Sequence, residues 1–225
     1  MNKIIFDIET LAPEFNDLNP TVQEDLIEKF SKDVPEKDRE KIIALIEDRL
    51  GLLPQFSKII AISFYNPDTK KGAVHFLAPK DFSNWSEESI EFKCFQEEKE
   101  LLTEFWKIIP NYQEIISYNG NNFDIPFILF RSLVCHIKPT IDLLNKDCHI
   151  DLYQILSFNR RISHLSLKFL SISLNIEDPK KNIDGRKIRN LVKSGDYQSL
   201  VKYAIGDVMA TAEIYNLWNN YLRFI

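Results

Sequence analysis

The sequence predicts an α/β domain built on a mixed sheet, and three observations carry that expectation. The chain opens on an apolar strand, residues 3–10 (KIIFDIET). Two β-branched and aromatic runs follow at 56–65 and 73–77, separated by the turn residues Asn66, Pro67 and Asp68. From residue 97 onward, segments with helical spacing alternate with short apolar runs. At 225 residues and 44% hydrophobic content the chain can bury a sizeable core. It shows no internal repeat, low-complexity tract or linker, so one domain is expected over residues 1–225.

Strand periodicity puts Asp7 and Glu9 on one face of the opening strand, with Phe6 and Ile8 on the other. Two carboxylates on an apolar strand are costly to bury without compensation, so a cationic group is expected over that face. An edge strand with two solvated acids would also satisfy this stretch taken alone. After Pro13, a charged interruption over about residues 14–52 contains two helical patterns, 21–32 and 35–50. Pro20 and Pro35 sit where helix starts favour proline, and Gly51 where a helix end favours glycine. This helical insertion packs on the rim of the domain, serves as a lid, or offers a surface to a protein partner.

Residues 56–65 and 73–77 form a hairpin or meander beside the first strand, and the polar stretch 86–91 reads as a loop. Leu101, Leu102, Phe105, Trp106 and Ile109 mark a helix over 97–109, ended by Pro110. Residues 114–118 (EIISY) form a short buried strand that runs into Asn119-Gly120-Asn121-Asn122-Phe123-Asp124. The Asn-Gly and Asn-Asn pairs make a tight turn, and Asp124 opens a helix with Pro126 just inside it. Asp124 on its own is accounted for by capping that helix and complementing its dipole. Residues 149–152 are a short strand or a helix entry, and helical stretches follow at 153–158 and 165–174.

The chain carries a net charge of -5, yet residues 158–193 hold nine basic residues against three acidic ones, a net of +6. A solvated basic face is the plain explanation, but beside an acidic site such a segment also suits a phosphate backbone. From Asp196 to about Leu222 a long helix closes the chain. Its polar face takes Lys202, Gly206, Glu213, Asn216 and Asn220, while Tyr203 and Asp207, one helical turn apart, fall on its apolar side. The four histidines are read as structural or surface residues. Three cysteines with no CxxC pair fit reduced thiols rather than a disulfide frame or a zinc site. No signal peptide or membrane-spanning run is visible, so a cytoplasmic protein without a membrane partner is expected.

Asp7, Glu9, Asp124 and Asp207 share one property: each sits at the end or on the face of an otherwise apolar element. Carboxylates gathered without cysteine or clustered histidine are hard oxygen ligands suited to Mg²⁺ or Mn²⁺. Two such ions serve in-line phosphoryl displacement, and a nucleic acid is the substrate that matches that chemistry plus a basic track.

Phe6-Asp7-Ile8-Glu9-Thr10, Tyr118-Asn119-Gly120-Asn121-Asn122-Phe123-Asp124 and Tyr203-Ala204-Ile205-Gly206-Asp207 resemble the three sequential motifs of the DEDD 3'-to-5' exonucleases. The middle motif, with Asp184-Gly185 upstream of the last helix, resembles stand-alone relatives of the proofreading domain of family B DNA polymerases. The resemblance spans residues 3–215. It implies a ribonuclease H-like, three-layer fold around the mixed sheet, with the helical insertion after the first strand. It also implies that Asp7, Glu9 and Asp207 hold one metal ion, that Asp7 bridges to a second, and that Asp124 supports the second.

With Tyr at position 203 and Lys at 202, the chain resembles the tyrosine class of these enzymes. Thr10 and Leu11 would contact the terminal nucleotide, and Asn122 and Phe123 would line the slot for the 3' end. Lys180, Lys181, Arg186 and Lys187 would follow the backbone. The implied activity is hydrolysis of single-stranded DNA from its 3' end to nucleoside 5'-monophosphates, with two divalent ions and no attached polymerase domain. The alternatives are the same chemistry on RNA and a non-catalytic nucleic-acid-binding module of the same fold.

Overall fold

The computed structural model describes residues 2–33, 38–145, 148–176 and 188–224. In chain order the regular elements are β1 (Lys3–Leu11), α1 (Pro20–Phe30), α2 (Arg39–Leu50), β2 (Lys58–Tyr65), β3 (Gly72–Leu77), β4 (Trp85–Glu87), β5 (Ile90–Phe95) and α3 (Glu98–Ile108). They continue with β6 (Glu114–Ser117), α4 (Asp124–Val134), β7 (His149–Asp151), α5 (Leu152–Leu156), α6 (Leu167–Ser173), α7 (Ile188–Ser194) and α8 (Tyr197–Tyr221). The seven strands form one mixed sheet in the order β4-β5-β3-β2-β1-β6-β7. β1 pairs antiparallel with β2 and parallel with β6, so the first strand lies inside the sheet rather than at its edge.

Strand alternation gives the sheet two apolar faces. Phe6 and Ile8 of β1, with Ile62 and Phe64 of β2, pack against Leu102 and Phe105 of α3 and Ile125 and Ile128 of α4. On the opposite face Ile5, Ala61, Val74 and Phe76 pack against Val201, Ala204 and Val208 of α8. Each fully buried aliphatic or aromatic side chain here contributes on the order of 1.5–3 kcal/mol. The result is a sheet with α3 and α4 on one side and α8 on the other. No described helix is long and apolar enough to cross a membrane.

The stretch 86–91, expected as a loop, is instead part of an edge hairpin, β4 and β5, with β5 parallel to β3. Trp85 stacks on Phe92 at 4.6 Å between ring centroids and fixes that hairpin. Ser86, Glu87 and Glu91 of this hairpin are all exposed, so the edge of the sheet reads as polar. The second insertion helix starts at Arg39, where the Asp38 side chain accepts from the amides of Glu40 and Lys41. Pro35 lies outside the described residues. The helix expected over 153–158 stops at Leu156, because Phe158 and Asn159 turn left-handed (φ 51° and 58°). Gly206, expected on a polar face, is buried: α8 runs along the sheet and is covered on most sides.

The insertion has an apolar centre of its own, formed by Phe15, Leu26, Phe30, Ile42, Ile46 and Leu50. Several polar contacts dock it, among them ion pairs of Arg189 and Lys193 on α7 with Glu14. Thr10 Oγ1 donates to the Gly51 carbonyl at 2.7 Å, and the guanidinium of Arg131 on α4 donates to the Pro54 carbonyl at 3.0 Å. Arg131 also forms a two-pronged pair with Glu98 at 2.9 and 2.6 Å, and Glu98 accepts from the Ile59 amide at 2.8 Å. The start of α3, the start of β2 and α4 therefore meet at one half-buried, hydrogen-bonded ion pair.

Candidate active site

Asp7 and Glu9 face α8 because they share the β1 face of Ile5, and in register Asp7 lies opposite Ser63 and Glu9 opposite Ala61. Directly after Glu9 the β1–β2 pairing slips: Thr10 lies opposite Ile59, which leaves Ile60 as the extra residue of a bulge. Ile60 thereby turns to pack with Leu200 and Tyr203 of α8 and Ile188 of α7. The bulge seats α8 against the end of β1, and Asp207 follows Tyr203 by one helical turn.

Asp7, Glu9 and Asp207 each present one carboxylate oxygen, and the three oxygens lie within 4.8 Å of one another. Glu9 and Asp207 are buried and Asp7 is half-buried. A cation was expected over the Asp7/Glu9 face; the described residues bring a further carboxylate to it. Three crowded oxygens, two of them on buried side chains, form a donor set that fits a hard divalent cation. That is the observation on which a metal at this site rests.

Asp124 is fully buried beside this group but is not one of the three converging carboxylates. Its Oδ1 accepts the amide hydrogen of Ile8 at 3.1 Å, so its carboxylate reaches into β1 instead of only capping its own helix. Burial, with the charges of Asp151 and Asp207 adding to it, pushes the Asp124 carboxyl up to about 7, while the Ile8 amide holds it back. The turn before Asp124 depends on Gly120, where a Cβ would collide with the side chain of Ser117. Ser117 Oγ lies 2.9 Å from His149 Nε2, and burial holds His149 down at about 4, a neutral structural partner.

Sequence reasoning missed Asp151. This buried residue accepts from the amides of Asn119 and Asn121, both at 3.0 Å, and from Gln154 at 3.2 Å. One carboxylate thus holds the turn that delivers Asp124 and caps α5. The available signal was an Asp at a strand-to-helix boundary, a favoured N-cap.

The expected substrate-binding residues divide between two grooves that flank the acids. Thr10, Leu11 and Phe123 line a cavity of about 600 Å³ together with Glu9, Leu52 of the insertion and Arg189 of α7. Within it the Thr10 hydroxyl hydrogen is committed to Gly51, leaving the rest of the residue to face the cavity. Asn122 lies on the other side, in an open groove of about 700 Å³ shared with Asp7, Asp207 and Arg160. Phe123 thus lines the first cavity and Asn122 the second. Lys180, Lys181, Arg186 and Lys187 lie outside the described residues, as do Asp184 and Gly185.

Residues 52–224 match a family described as a predicted 3'-5' exonuclease related to the exonuclease domain of PolB. Among curated proteins, DNA polymerase 1 of Sulfurisphaera ohwakuensis is 27% identical over 234 residues, covering 95% of this chain and 27% of the relative. DNA polymerase 1 of Saccharolobus solfataricus is 27% identical over 231 residues (92% of this chain, 26% of the relative). That of Sulfolobus acidocaldarius is 26% identical over 235 (95% and 27%). The chain spans about a quarter of the length of these relatives. The family match starts after β1, so Asp7 and Glu9 join the matched region through sheet pairing rather than through the match itself.

Proposed function

The chain belongs to the family of predicted 3'-5' exonucleases related to the exonuclease domain of PolB, and we propose that it degrades single-stranded nucleic acid, DNA in the first place, from the 3' end to nucleoside 5'-monophosphates. The convergence of Asp7, Glu9 and Asp207 across two hundred residues of chain is the observation that carries this reading. The reading includes a ribonuclease H-like fold and the tyrosine class of the DEDD enzymes. It also includes two divalent ions, Mg²⁺ or Mn²⁺, held by Asp7, Glu9, Asp207 and Asp124.

When bound, such ions supply a more acidic water and neutralise charge developing on the phosphate. The side chains do the rest. Asp7, Glu9 and Asp207 provide oxygen ligands from two elements whose separation is set by the β1–β2 bulge and the packing of Tyr203 on Ile60. Asp124, tied to the Ile8 amide, keeps a fourth carboxyl beside them. A phenol with a reference pKa near 10 is a poor base at neutral pH, so the role left to Tyr203 is to orient the attacking water in line with the scissile bond. Thr10, Leu11 and Phe123 would receive the terminal nucleotide in the cavity beside Glu9, and Lys180, Lys181, Arg186 and Lys187 would follow the phosphate backbone.

The test uses 5'-labelled single-stranded DNA and RNA of equal sequence, incubated with Mg²⁺, Mn²⁺ or chelator and resolved at single-nucleotide steps. A ladder shortening from the 3' end, absent with chelator, is the expected outcome. Comparison of the two arms gives the sugar preference. Binding without cleavage in every condition would leave a non-catalytic module as the better reading.

A further inference from the structure

The groove on the Asn122 side has features that the catalytic group does not require. It starts at Asp7 and Asp207 and is bounded by Tyr118, Tyr153, Arg160 and Phe169. Among the described residues no carboxylate pairs with Arg160, whose Nη2 instead donates to the neutral amide oxygen of Asn122 at 2.8 Å. A guanidinium held by an amide oxygen keeps its charge and most of its donors available to an anion.

The backbone that presents Arg160 is strained. Phe158, Asn159 and Arg160 have φ of 51°, 58° and 66°, and His164 follows at 57°. Three consecutive left-handed non-glycine residues, one of them a bulky aromatic, are an outlier that surrounding bonds must impose. The Ser157 hydroxyl accepts from the Arg160 amide at 3.0 Å, the Ser157 carbonyl accepts from Ile162 at 3.0 Å, and the Gln154 carbonyl accepts from Asn159 at 3.0 Å. The same groove carries flat apolar surface: Tyr118 and Tyr153 meet edge to face at 6.0 Å, and Phe169 is 60% exposed. A guanidinium beside aromatic rings along an open groove is the pairing that holds a single strand, with phosphate on the cation and bases on the rings.

We propose that this groove binds the nucleotides on the 5' side of the scissile bond, with Arg160 on a backbone phosphate and Phe169 as a stacking platform. The inference rests on the function proposed above, which places the terminal nucleotide in the cavity on the Glu9 side. The acids stand between the two sites, Glu9 lining one and Asp7 and Asp207 the other. Asn122 is the brace, since it receives Arg160 and itself donates to Asn119 at 2.7 Å, within the turn that delivers Asp124.

The test compares oligodeoxythymidylates of two, four and eight nucleotides with wild type, Arg160→Gln, Phe169→Ala and, as a charge-matched control away from the groove, Lys80→Gln. Binding is read by fluorescence anisotropy in chelator, cleavage by KM and kcat, and folding by thermal melting. In Arg160→Gln the gain in affinity from dimer to octamer should shrink about tenfold, and the salt slope of binding should fall by about 0.7, the amount for one neutralised phosphate of a single strand. Phe169→Ala should shrink the same gain without moving the salt slope. Lys80→Gln should behave as wild type. Equal losses on dimer and octamer, or none, would overturn the proposal. If wild type binds the oligonucleotides but cleaves none, the proposed function fails, and the anisotropy arm still decides whether the groove holds a strand.

Discussion

The carboxylate of Asp124 accepts the amide hydrogen of Ile8 at 3.1 Å, a bond between residues 116 apart in sequence. Ile8 lies between Asp7 and Glu9, so the turn after β6 is anchored to the backbone that sets the spacing of those two acids.

Asp124→Ala leaves the buried Ile8 amide without an acceptor, whereas Asp124→Asn keeps an oxygen in place. An orphaned buried amide costs about 1–3 kcal/mol, so denaturant unfolding should show the alanine variant weaker than the asparagine variant by that amount. The carboxyl is raised from its ordinary 3.8 to about 7 in the fold. Its contribution to stability is therefore fully present below about pH 4 and lost as the pH rises through 7. In metal-free protein Asp124→Asn should match wild type near pH 4 and exceed it at pH 8 by on the order of 1 kcal/mol or more. Parallel stability profiles from pH 4 to 8 would rule this out.

Crowding Asp7, Glu9 and Asp207 within 4.8 Å sets like charges against one another when no cation is bound. Asp207→Asn should raise the melting temperature of chelator-treated protein and abolish cleavage. Added Mn²⁺ should stabilise wild type by mass action and the variant much less. Equal Mn²⁺-induced shifts in both proteins would show that the three acids do not act as one site.

Tyr203 is buried against Ile60, Leu200 and Ile188, and phenylalanine keeps that packing. Tyr203→Phe should therefore stay folded and retain its Mn²⁺ shift. Single-turnover cleavage should slow by about 10- to 1000-fold, the range for losing one aligned hydrogen bond at a reacting centre. Asp7→Ala should lose the Mn²⁺ shift and the activity together. Wild-type cleavage by the phenylalanine variant would remove Tyr203 from the mechanism.

Neutralising Lys180, Lys181, Arg186 and Lys187 should weaken binding alike for all sequences and flatten its salt dependence by about 0.7 for each phosphate these side chains neutralise. Turnover at saturating substrate should change little. An unaltered salt slope, measured by titration at several ionic strengths, would assign the segment to a solvated face.

Local periodicity carried much of the molecule. Two-residue alternation placed Asp7 and Glu9 on one face of β1, and helical spacing placed Tyr203 and Asp207 one turn apart on the buried side of α8, because both patterns depend only on backbone geometry within a single element. What no periodicity contains is the relation between elements. The bulge that turns Ile60 toward Tyr203 arises from the pairing register of β1 and β2, and the 4.8 Å meeting of Asp7 and Glu9 with Asp207 depends on how α8 packs on that register. Asp124 looked sufficient as a helix start until the sheet brought Ile8 within reach, and the bonds of Asp151 to the Asn119 and Asn121 amides exist only once β7 lies beside β6. The polar edge hairpin was read as loop because Ser86, Glu87 and Glu91 are exposed, whereas backbone pairing and the stacking of Trp85 on Phe92 hold it as strand. Element types follow from short-range sterics and solvation, whereas the partners of buried polar groups are chosen by long-range packing, where one residue of register moves a side chain from one face of the sheet to the other.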